Sequence, residues 1–97
     1  MATADPPPPR GIVTSKAFER DVKRLGKRGK DMGRLRVVIE ALRLRQPLSA
    51  RHRDHALSGN WEGFRDCHVE PNWVLVYRLD EESVYLTRTG THADLFE

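Results

Sequence analysis

The pattern of apolar residues changes near Pro47, and this change limits the folds that the chain can adopt. Before Pro47, apolar residues recur at spacings of three and four, as in Phe18, Val22 and Leu25, which is typical of amphipathic helices. After Leu57, β-branched and aromatic residues form short runs separated by turn residues, which is typical of strands. Helices followed by consecutive strands predict an α+β fold.

Six elements are expected from these patterns. Thr14 or Ser15 can cap the first helix, and Asp31 can cap the second. The last three strands are joined by short turns and are therefore antiparallel, and the middle one is expected at the centre because both of its faces are apolar. The predicted order is βααβββ, an α+β fold whose antiparallel sheet core carries two basic N-terminal helices on one face. The elements are predicted at residues 11–14, 15–28, 31–45, 64–69, 73–79 and 83–89.

The chain is expected to be one cytoplasmic domain. Its 97 residues, of which 38% are hydrophobic, are too few for two independent cores. Residues 1–10 contain four consecutive prolines, so a disordered leader is expected before a single domain at residues 11–97. No apolar run approaches the roughly 20 residues that cross a bilayer, and no secretory signal is present. Cys67 is the only cysteine, which excludes an internal disulfide and a zinc site built on paired cysteines.

Positive charge is concentrated in the first half. Residues 1–55 contain 14 Lys and Arg against 6 Asp and Glu, a net charge of +8, whereas residues 56–97 contain 3 against 8, a net charge of −5. Such a field attracts phosphate backbones or an acidic protein segment without sequence specificity. Solvated helix faces carry similar charge without any partner, so charge alone does not identify a function.

Four histidines, His52, His55, His68 and His92, lie beyond the predicted helices, near loops and strand ends. One interpretation is a metal site, but the usual spacing of ligands is absent. A second is that the histidines bind loop backbones and border the core. The third is acid–base catalysis, because an imidazole with a pKa of about 6.5 can take and give a proton near neutral pH.

Catalysis by histidines suits the cleavage of RNA, which supplies its own nucleophile in the 2′-hydroxyl. An enzyme then needs a base for that hydroxyl, an acid for the 5′-oxygen, and positive charge against the phosphorane. Histidines with Arg65 or Arg88 and a few carboxylates would meet these needs without a metal or another cofactor. Trp61, Trp73 and Phe96 could stack on bases, although core packing suits the two tryptophans better.

Three segments resemble the YafQ branch of the RelE/ParE toxin superfamily. They are residues 53–61 (RDHALSGNW), 63–73 (GFRDCHVEPNW) and 88–96 (RTGTHADLF). Residues 27–32 (KRGKDM) are similar to the family's KRxKDM segment, and the resemblance extends over about residues 15–96. It implies a RelE-like fold and a ribosome-dependent endoribonuclease that cleaves messenger RNA and is neutralised by a cognate antitoxin of the DinJ/RelB kind.

The resemblance also implies roles for single residues. The family's catalytic histidines fall on His55, His68 and His92. The aromatic residue beside the last of them falls on Phe96, and Asp66 falls at an acidic position of the motif. The working hypothesis is that His55 or His68 relays the proton of the 2′-hydroxyl, whereas His92 protonates the leaving oxygen.

The chain departs from the family pattern at two positions. The family reads His-x-Glu-Pro-Asp-Trp, and this chain has Asn72 in place of the aspartate. The change removes a candidate proton acceptor and a group that raises a neighbouring histidine's pKa. Base function is therefore expected to be weakened or shared by His68, Asp66 or Glu70. Ala56 replaces a proline of the first motif, which is expected to loosen that loop.

Basic residues are expected to bind ribosomal RNA and messenger RNA, and the antitoxin is expected to compete for the helices. The toxin–antitoxin complex would bind operator DNA through the antitoxin. The expected contact residues are Lys23, Arg24, Lys27, Arg28, Lys30, Arg53, Arg65 and Arg88.

Two alternative functions remain open. A non-enzymatic inhibitor like the ParE branch, which binds DNA gyrase, shares the fold, but its members generally lack this set of histidines. A catalytically weakened toxin would act mainly through antitoxin binding and regulation of its operon, and Asn72 keeps this alternative open. Cleavage of RNA distinguishes the enzyme from both.

Overall fold

The computed structural model describes residues 5–96 and contains a five-stranded sheet with two helices packed on one face. No helix within this range is long and apolar enough to span a bilayer. Single 3₁₀ turns at Ala50–His52 and Gly59–Trp61 lie before and after the second strand. The elements are β1 (Gly11–Thr14), α1 (Lys16–Lys27), α2 (Met32–Arg43), β2 (His55–Ala56), β3 (Arg65–Glu70), β4 (Trp73–Leu79), β5 (Ser83–Gly90) and α3 (His92–Phe96).

The sheet has the strand order β1-β5-β4-β3-β2. The strands from β2 to β5 pair antiparallel with β4 at the centre, so the predicted antiparallel core is confirmed. β1 adds to the free edge of β5 in the parallel sense, from Gly11 opposite Ser83 to Thr14 opposite Leu86. The structure also contains β2 and α3, which the predicted order βααβββ lacks.

Both predicted helix caps are present. The hydroxyl of Ser15 accepts a hydrogen bond from the amide of Phe18 at 2.9 Å, and the carboxylate of Asp31 accepts one from the amide of Gly33 at 2.9 Å. α2 ends at Arg43, slightly before the predicted end, because Arg45 adopts a left-handed conformation with φ 61°. The basic helices therefore begin where their capping residues place them.

α1 and α2 pack on the same face of the sheet, as predicted. Both contribute buried apolar residues to one core, and each fully buried leucine or valine contributes about 1.5–3 kcal/mol to folding. Val74 and Val76 of β4 point to the other face and are fully buried too, which agrees with a central strand. The shared core contains Phe18, Leu25, Leu35, Val38, Leu42, Cys67, Val69, Trp73, Leu75, Tyr77, Val84 and Leu86.

The end of the proline-rich segment contacts the domain. Nε of Arg45 donates to the carbonyl of Pro8 at 2.9 Å, and the amide of Arg10 donates to the carbonyl of Arg43 at 2.8 Å. These contacts involve the last residues of the segment, residues 1–10, for which a disordered leader is predicted. Residues 5–10 contain no helix or strand, and residues 1–4 lie outside the described range.

α3 begins with a reciprocal pair of hydrogen bonds. The amide of Asp94 donates to the hydroxyl of Thr91 at 3.1 Å, and the amide of Thr91 donates to the carboxylate of Asp94 at 3.0 Å. This is the arrangement of a capping box, with aspartate in the acidic position. It fixes the first turn of α3, and the first residue of that turn is His92.

Candidate active site

The strand register places three polar residues on the sheet face away from α1 and α2. His55 lies opposite Asp66, Asp66 lies opposite Val76, and His68 lies opposite Val74. Directly opposed residues of antiparallel strands point to the same side, and Val74 and Val76 point away from the helices. His55, Asp66 and His68 therefore share that side of the sheet.

His92 joins this group from the start of α3. Its ring centroid lies 5.4 Å from that of His68. We refer to His55, His68 and His92 as the histidine cluster. The structure thus brings together the histidines that the resemblance implied, from β2, β3 and α3, around the carboxylate of Asp66.

Asp66 is a buried carboxyl group without a hydrogen-bond donor at one oxygen. Only 3% of the residue is exposed, and no described residue donates to its Oδ1. Nδ1 of His55 lies 3.2 Å from this oxygen, but its hydrogen bond goes to the carbonyl of Arg53 at 2.8 Å. Burial raises the pKa of Asp66, and the charges of the histidine cluster offset this effect only in part. A carboxyl group of this kind can exchange a proton with the histidines beside it.

Backbone carbonyls fix two of the imidazole rings. Nδ1 of His55 bonds to the carbonyl of Arg53, and Nδ1 of His68 bonds to the carbonyl of Pro71 at 3.2 Å. A carbonyl only accepts, so both Nδ1 atoms carry hydrogen and the neutral rings keep a lone pair on Nε2. Each Nε2 can therefore act as a base. Across residues 5–96, no three His, Cys, Asp or Glu side chains are grouped so that they could hold a metal ion.

An aromatic row continues from the histidine cluster. The His92 ring lies 5.9 Å from Phe96, which lies 6.1 Å from Trp61, and Trp61 contacts Phe64 edge-on at 5.5 Å. Phe96 is 38% exposed and Trp61 is partly exposed. The row, defined by His92, Phe96, Trp61 and Phe64, offers ring surface beside the histidines. Trp73 does not contribute, because it is fully buried and donates its indole hydrogen to Thr89 at 2.8 Å.

Asn72 is exposed in the turn between β3 and β4, next to Pro71, whose carbonyl binds His68. Glu70, considered above as a replacement base, lies 3.6 Å from Nζ of Lys30 and 3.4 Å from Nη1 of Arg34. Its carboxylate thus faces the helical side and is already paired. Of the three residues expected to share the base function, His68 and Asp66 therefore lie at the histidine cluster, whereas Glu70 does not.

The two arginines considered for phosphate binding are both held by aspartates. Arg65 lies opposite Tyr77, on the helix-facing side, and pairs with Asp54 at 3.2 Å, so the structure does not bring it to the histidine cluster. Arg88 pairs with the buried Asp21 at 2.7 Å. Its backbone lies in one row of the sheet with Val76, Asp66 and His55, and its side chain remains 28% exposed. Of the two arginines, it is therefore Arg88 whose backbone lies in the same cross-strand row as His55 and Asp66 of the candidate site.

Part of the basic surface of α1 is tied to α3. Nη1 of Arg28 lies 3.0 Å from Asp94 and Nη2 of Arg24 lies 3.8 Å from it, whereas Lys23 and Lys27 make no ion pair with a described residue. The remaining expected contact residues are dispersed. Lys30 pairs with Glu70 and lies 5.9 Å from the Trp73 ring, and Arg53 is exposed with φ 47°. Of the expected contact residues, Lys23, Arg24, Lys27 and Arg28 are therefore the ones that lie together, around one shallow depression on α1 that Arg20 also lines.

The chain is similar to one group of bacterial toxins in sequence and in structure. The family model for YafQ, described as a bacterial toxin of a type II toxin–antitoxin system, matches residues 10–97. The mRNA interferase toxin YafQ of Escherichia coli strain K12 is 46% identical over 88 residues, which are 90% of this chain and 96% of that protein.

Solved structures of the same group match over nearly the whole fold. The crystal structure of YafQ from E. coli strain BL21(DE3) has a TM-score of 0.87 at 44% identity and covers 91% of this chain and 99% of its own. The crystal structure of the E. coli DinJ–YafQ toxin–antitoxin complex has a TM-score of 0.85 at 45% identity and covers 91% and 98%. The similarity therefore extends over about nine-tenths of this chain.

Proposed function

The chain belongs to the YafQ family of bacterial toxins of type II toxin–antitoxin systems, and we propose that it is an mRNA interferase, an endoribonuclease that cleaves messenger RNA on the ribosome. The observation that carries the proposal is the meeting of the histidine cluster with the buried Asp66 on the sheet face away from α1 and α2. That face offers a base, an acid and a proton-sharing carboxyl group within one small area.

In the proposed reaction, the 2′-hydroxyl oxygen attacks the adjacent phosphorus and the bond from phosphorus to the 5′-oxygen breaks. His55 or His68 takes the proton of the 2′-hydroxyl through Nε2, and His92 gives a proton to the 5′-oxygen. The products are a 2′,3′-cyclic phosphate and a 5′-hydroxyl. The hydrogen bonds from Nδ1 of His55 and His68 to carbonyls support this assignment because they leave Nε2 as the basic atom.

Positive charge must oppose the charge that develops on the phosphorane. We assign this role to Arg88, whose side chain is oriented by two bonds to Asp21, at 2.7 and 3.1 Å. Protonated His92 adds positive charge beside the phosphorane before it releases its proton. The aromatic row supports binding of the single strand, because exposed rings stack on bases regardless of sequence.

The exposed basic surface of α1 is proposed to bind ribosomal RNA in the free toxin and an acidic antitoxin segment in the neutralised complex. A related YafQ is crystallised with DinJ, so a DinJ-type antitoxin is the proposed partner. Lys23 and Lys27 carry this proposal, since Arg24 and Arg28 are partly occupied by Asp94. The complex would then bind operator DNA through the antitoxin.

The test is primer extension on a messenger RNA translated in a purified system, with wild type and His92→Ala side by side. The expected result is discrete cuts that require ribosomes and that fall by about 10²–10⁴-fold in His92→Ala, the usual contribution of general acid–base catalysis. The same RNA without ribosomes is the control. Cuts of equal strength in both proteins would contradict the proposal.

A second candidate, a catalytically weakened toxin, is favoured by Asn72 in the turn beside His68. Asn72→Asp is expected to strengthen cutting if the missing carboxylate limits the reaction. No cutting by wild type, with cutting by Asn72→Asp, would support this candidate and leave antitoxin binding as the natural role.

A further inference from the structure

A cavity of about 370 Å³ lies between α2, the 3₁₀ turn at Ala50–His52 and the end of β3. Its volume falls within the range of about 300–1,000 Å³ that is usual for sites of small molecules. His68 lines the cavity and also belongs to the histidine cluster. The cavity and the candidate active site therefore share one residue, whose backbone carbonyl is bonded to His52 and whose ring belongs to the cluster.

The charge around this cavity is positive. Arg34 and Arg51 both line it, and so does Glu70. The carboxylate of Glu70 lies within 3.4 Å of Arg34 and 3.6 Å of Lys30, so two cations share one anion. Arg51 is exposed and makes no ion pair with any residue in the described part of the chain. Its guanidinium is thus available to an anionic ligand.

His52 connects the cavity with the backbone of His68. Only 8% of His52 is exposed, and its Nδ1 lies 2.7 Å from the carbonyl of His68. The carbonyl only accepts, so Nδ1 donates, and Nε2 is the polar atom that remains for a ligand. A ligand that binds Nε2 of His52 would therefore be connected, through the hydrogen bond of Nδ1, to the backbone carbonyl of His68, a candidate catalytic residue.

The cavity also has an apolar part. Val37 projects from α2 with 62% of its surface exposed, and Pro71 and Val69 lie on the β3 side. Guanidinium groups beside an apolar surface match the chemistry of a nucleotide, which combines an anionic phosphate with a flat base and a ribose.

We propose that this cavity binds one ribonucleotide of the RNA strand, adjacent to the phosphate that is cleaved at His68 and His92. Arg51, with Arg34, binds the phosphate of that nucleotide, and Val37 and Pro71 contact its base or ribose. The inference rests on the proposed function, because it names where the substrate continues beyond the reacting atoms. It makes Arg51 a determinant of substrate binding rather than a catalytic residue.

The test is an NMR titration of the full chain with a trinucleotide of 2′-O-methyl RNA, which lacks the nucleophilic hydroxyl. Wild type is compared with Arg51→Ala and with Arg36→Ala, a matched control on the exposed surface of α2 that does not line the cavity. We expect shifts at His52 and Val37, and an affinity about tenfold weaker in Arg51→Ala only, as for the loss of one charge-assisted hydrogen bond. Equal affinities in all three proteins would overturn the inference.

This titration is independent of the proposed activity because it needs neither ribosomes nor cleavage. If wild type cuts messenger RNA and Arg51→Ala binds the trinucleotide as tightly as wild type does, the activity stands and the cavity site is rejected. If cutting fails but the trinucleotide binds in an Arg51-dependent way, the cavity site stands alone. If Arg51→Ala weakens only antitoxin binding, the cavity belongs to the protein partner and the inference is overturned.

Discussion

Nε of Arg88 lies 2.7 Å from Oδ2 of Asp21, and this ion pair joins β5 to a carboxylate that is only 2% exposed on α1. The amide of Thr89 donates to the same carboxylate at 3.1 Å, and Arg24 donates to it at 3.0 Å. Burial alone would raise the pKa of Asp21, but the bonds from Arg88 and Thr89 and the charges of Arg88 and Arg24 outweigh it, so the pKa is lowered.

Replacement of Asp21 by asparagine is expected to lower the free energy of unfolding by about 3 kcal/mol at pH 7, because the partly exposed Arg88 would lose the buried carboxylate that accepts two of its hydrogen bonds. Because the folded pKa is depressed, the stabilisation is complete above the unfolded value of about 3.9 and is lost as pH falls through the folded value. Urea denaturation of Asp21→Asn and wild type at pH 7 and pH 2 should show a difference that shrinks in acid. Glu62→Gln, which changes an exposed residue, is the control. If Asp21→Asn unfolded at the same urea concentration as Glu62→Gln at pH 7, the stabilising role of the Asp21 carboxylate would be contradicted.

Asp66 is expected to show the opposite effect on stability. Its folded pKa is raised by burial, so the stability that comes from its proton is present below about pH 3.9 and is lost as pH rises through the folded value. Asp66→Asn stays neutral and should unfold at a higher urea concentration than wild type at pH 8, with a smaller difference at pH 4. The same variant should cut more slowly, since asparagine cannot share a proton. A variant less stable than wild type at pH 8 would contradict the raised pKa.

Asp94 is expected to position His92 through α3. Asp94→Ala removes both the partner of the Thr91 amide and that of Arg28, so the first turn of α3 should loosen. We expect a lower kcat with little change in KM, and a broadened His92 signal in NMR spectra. Asp94→Asn, which can still accept from the Thr91 amide, is the matched control and should recover most of the activity. Equal loss in both variants would show that the charge, rather than the cap, matters.

Arg65 and Arg88 are expected to differ in their effect on cleavage. Arg65 pairs with Asp54 on the helix-facing side, so Arg65→Gln should leave the cutting rate within about twofold of wild type and lower stability by up to about 1 kcal/mol. Arg88→Gln should lower the rate by at least about tenfold, as for the loss of one group that stabilises the phosphorane. Circular dichroism should first confirm that Arg88→Gln is folded. A large loss of rate in Arg65→Gln would reassign phosphate binding to that residue.

Most of the fold was predictable because its signals are local. The caps at Ser15 and Asp31 and the apolar spacing of both helices lie within a few residues of one another along the chain. β2 was missed because two residues carry no periodicity. α3 was missed because it has only five residues, although the Thr91-x-x-Asp94 spacing is a capping signal that indicates its start.

The candidate site was less predictable because it depends on register and on distant partners. The residue types of the histidine cluster are visible in the sequence, but their common face follows from the pairing of His55 with Asp66 and of His68 with Val74. Arg88, like Arg65, was a candidate for the positive charge at the phosphorane, but the sequence did not indicate its ion pair. Its partner, Asp21, lies 67 positions earlier, and no local pattern indicates such a pair.

The separation of the two sheet faces has an evolutionary consequence. The side that packs against α1 and α2 and the side that carries the histidine cluster share β4, but exposed residues beside the cluster can be substituted with little effect on that packing. Asn72 is one such residue, because it lies in an exposed turn next to the side that carries the histidine cluster and outside the core that packs against the helices. A lineage can therefore adjust the toxicity of such a protein, residue by residue, while selection for a folded partner of its antitoxin continues unchanged.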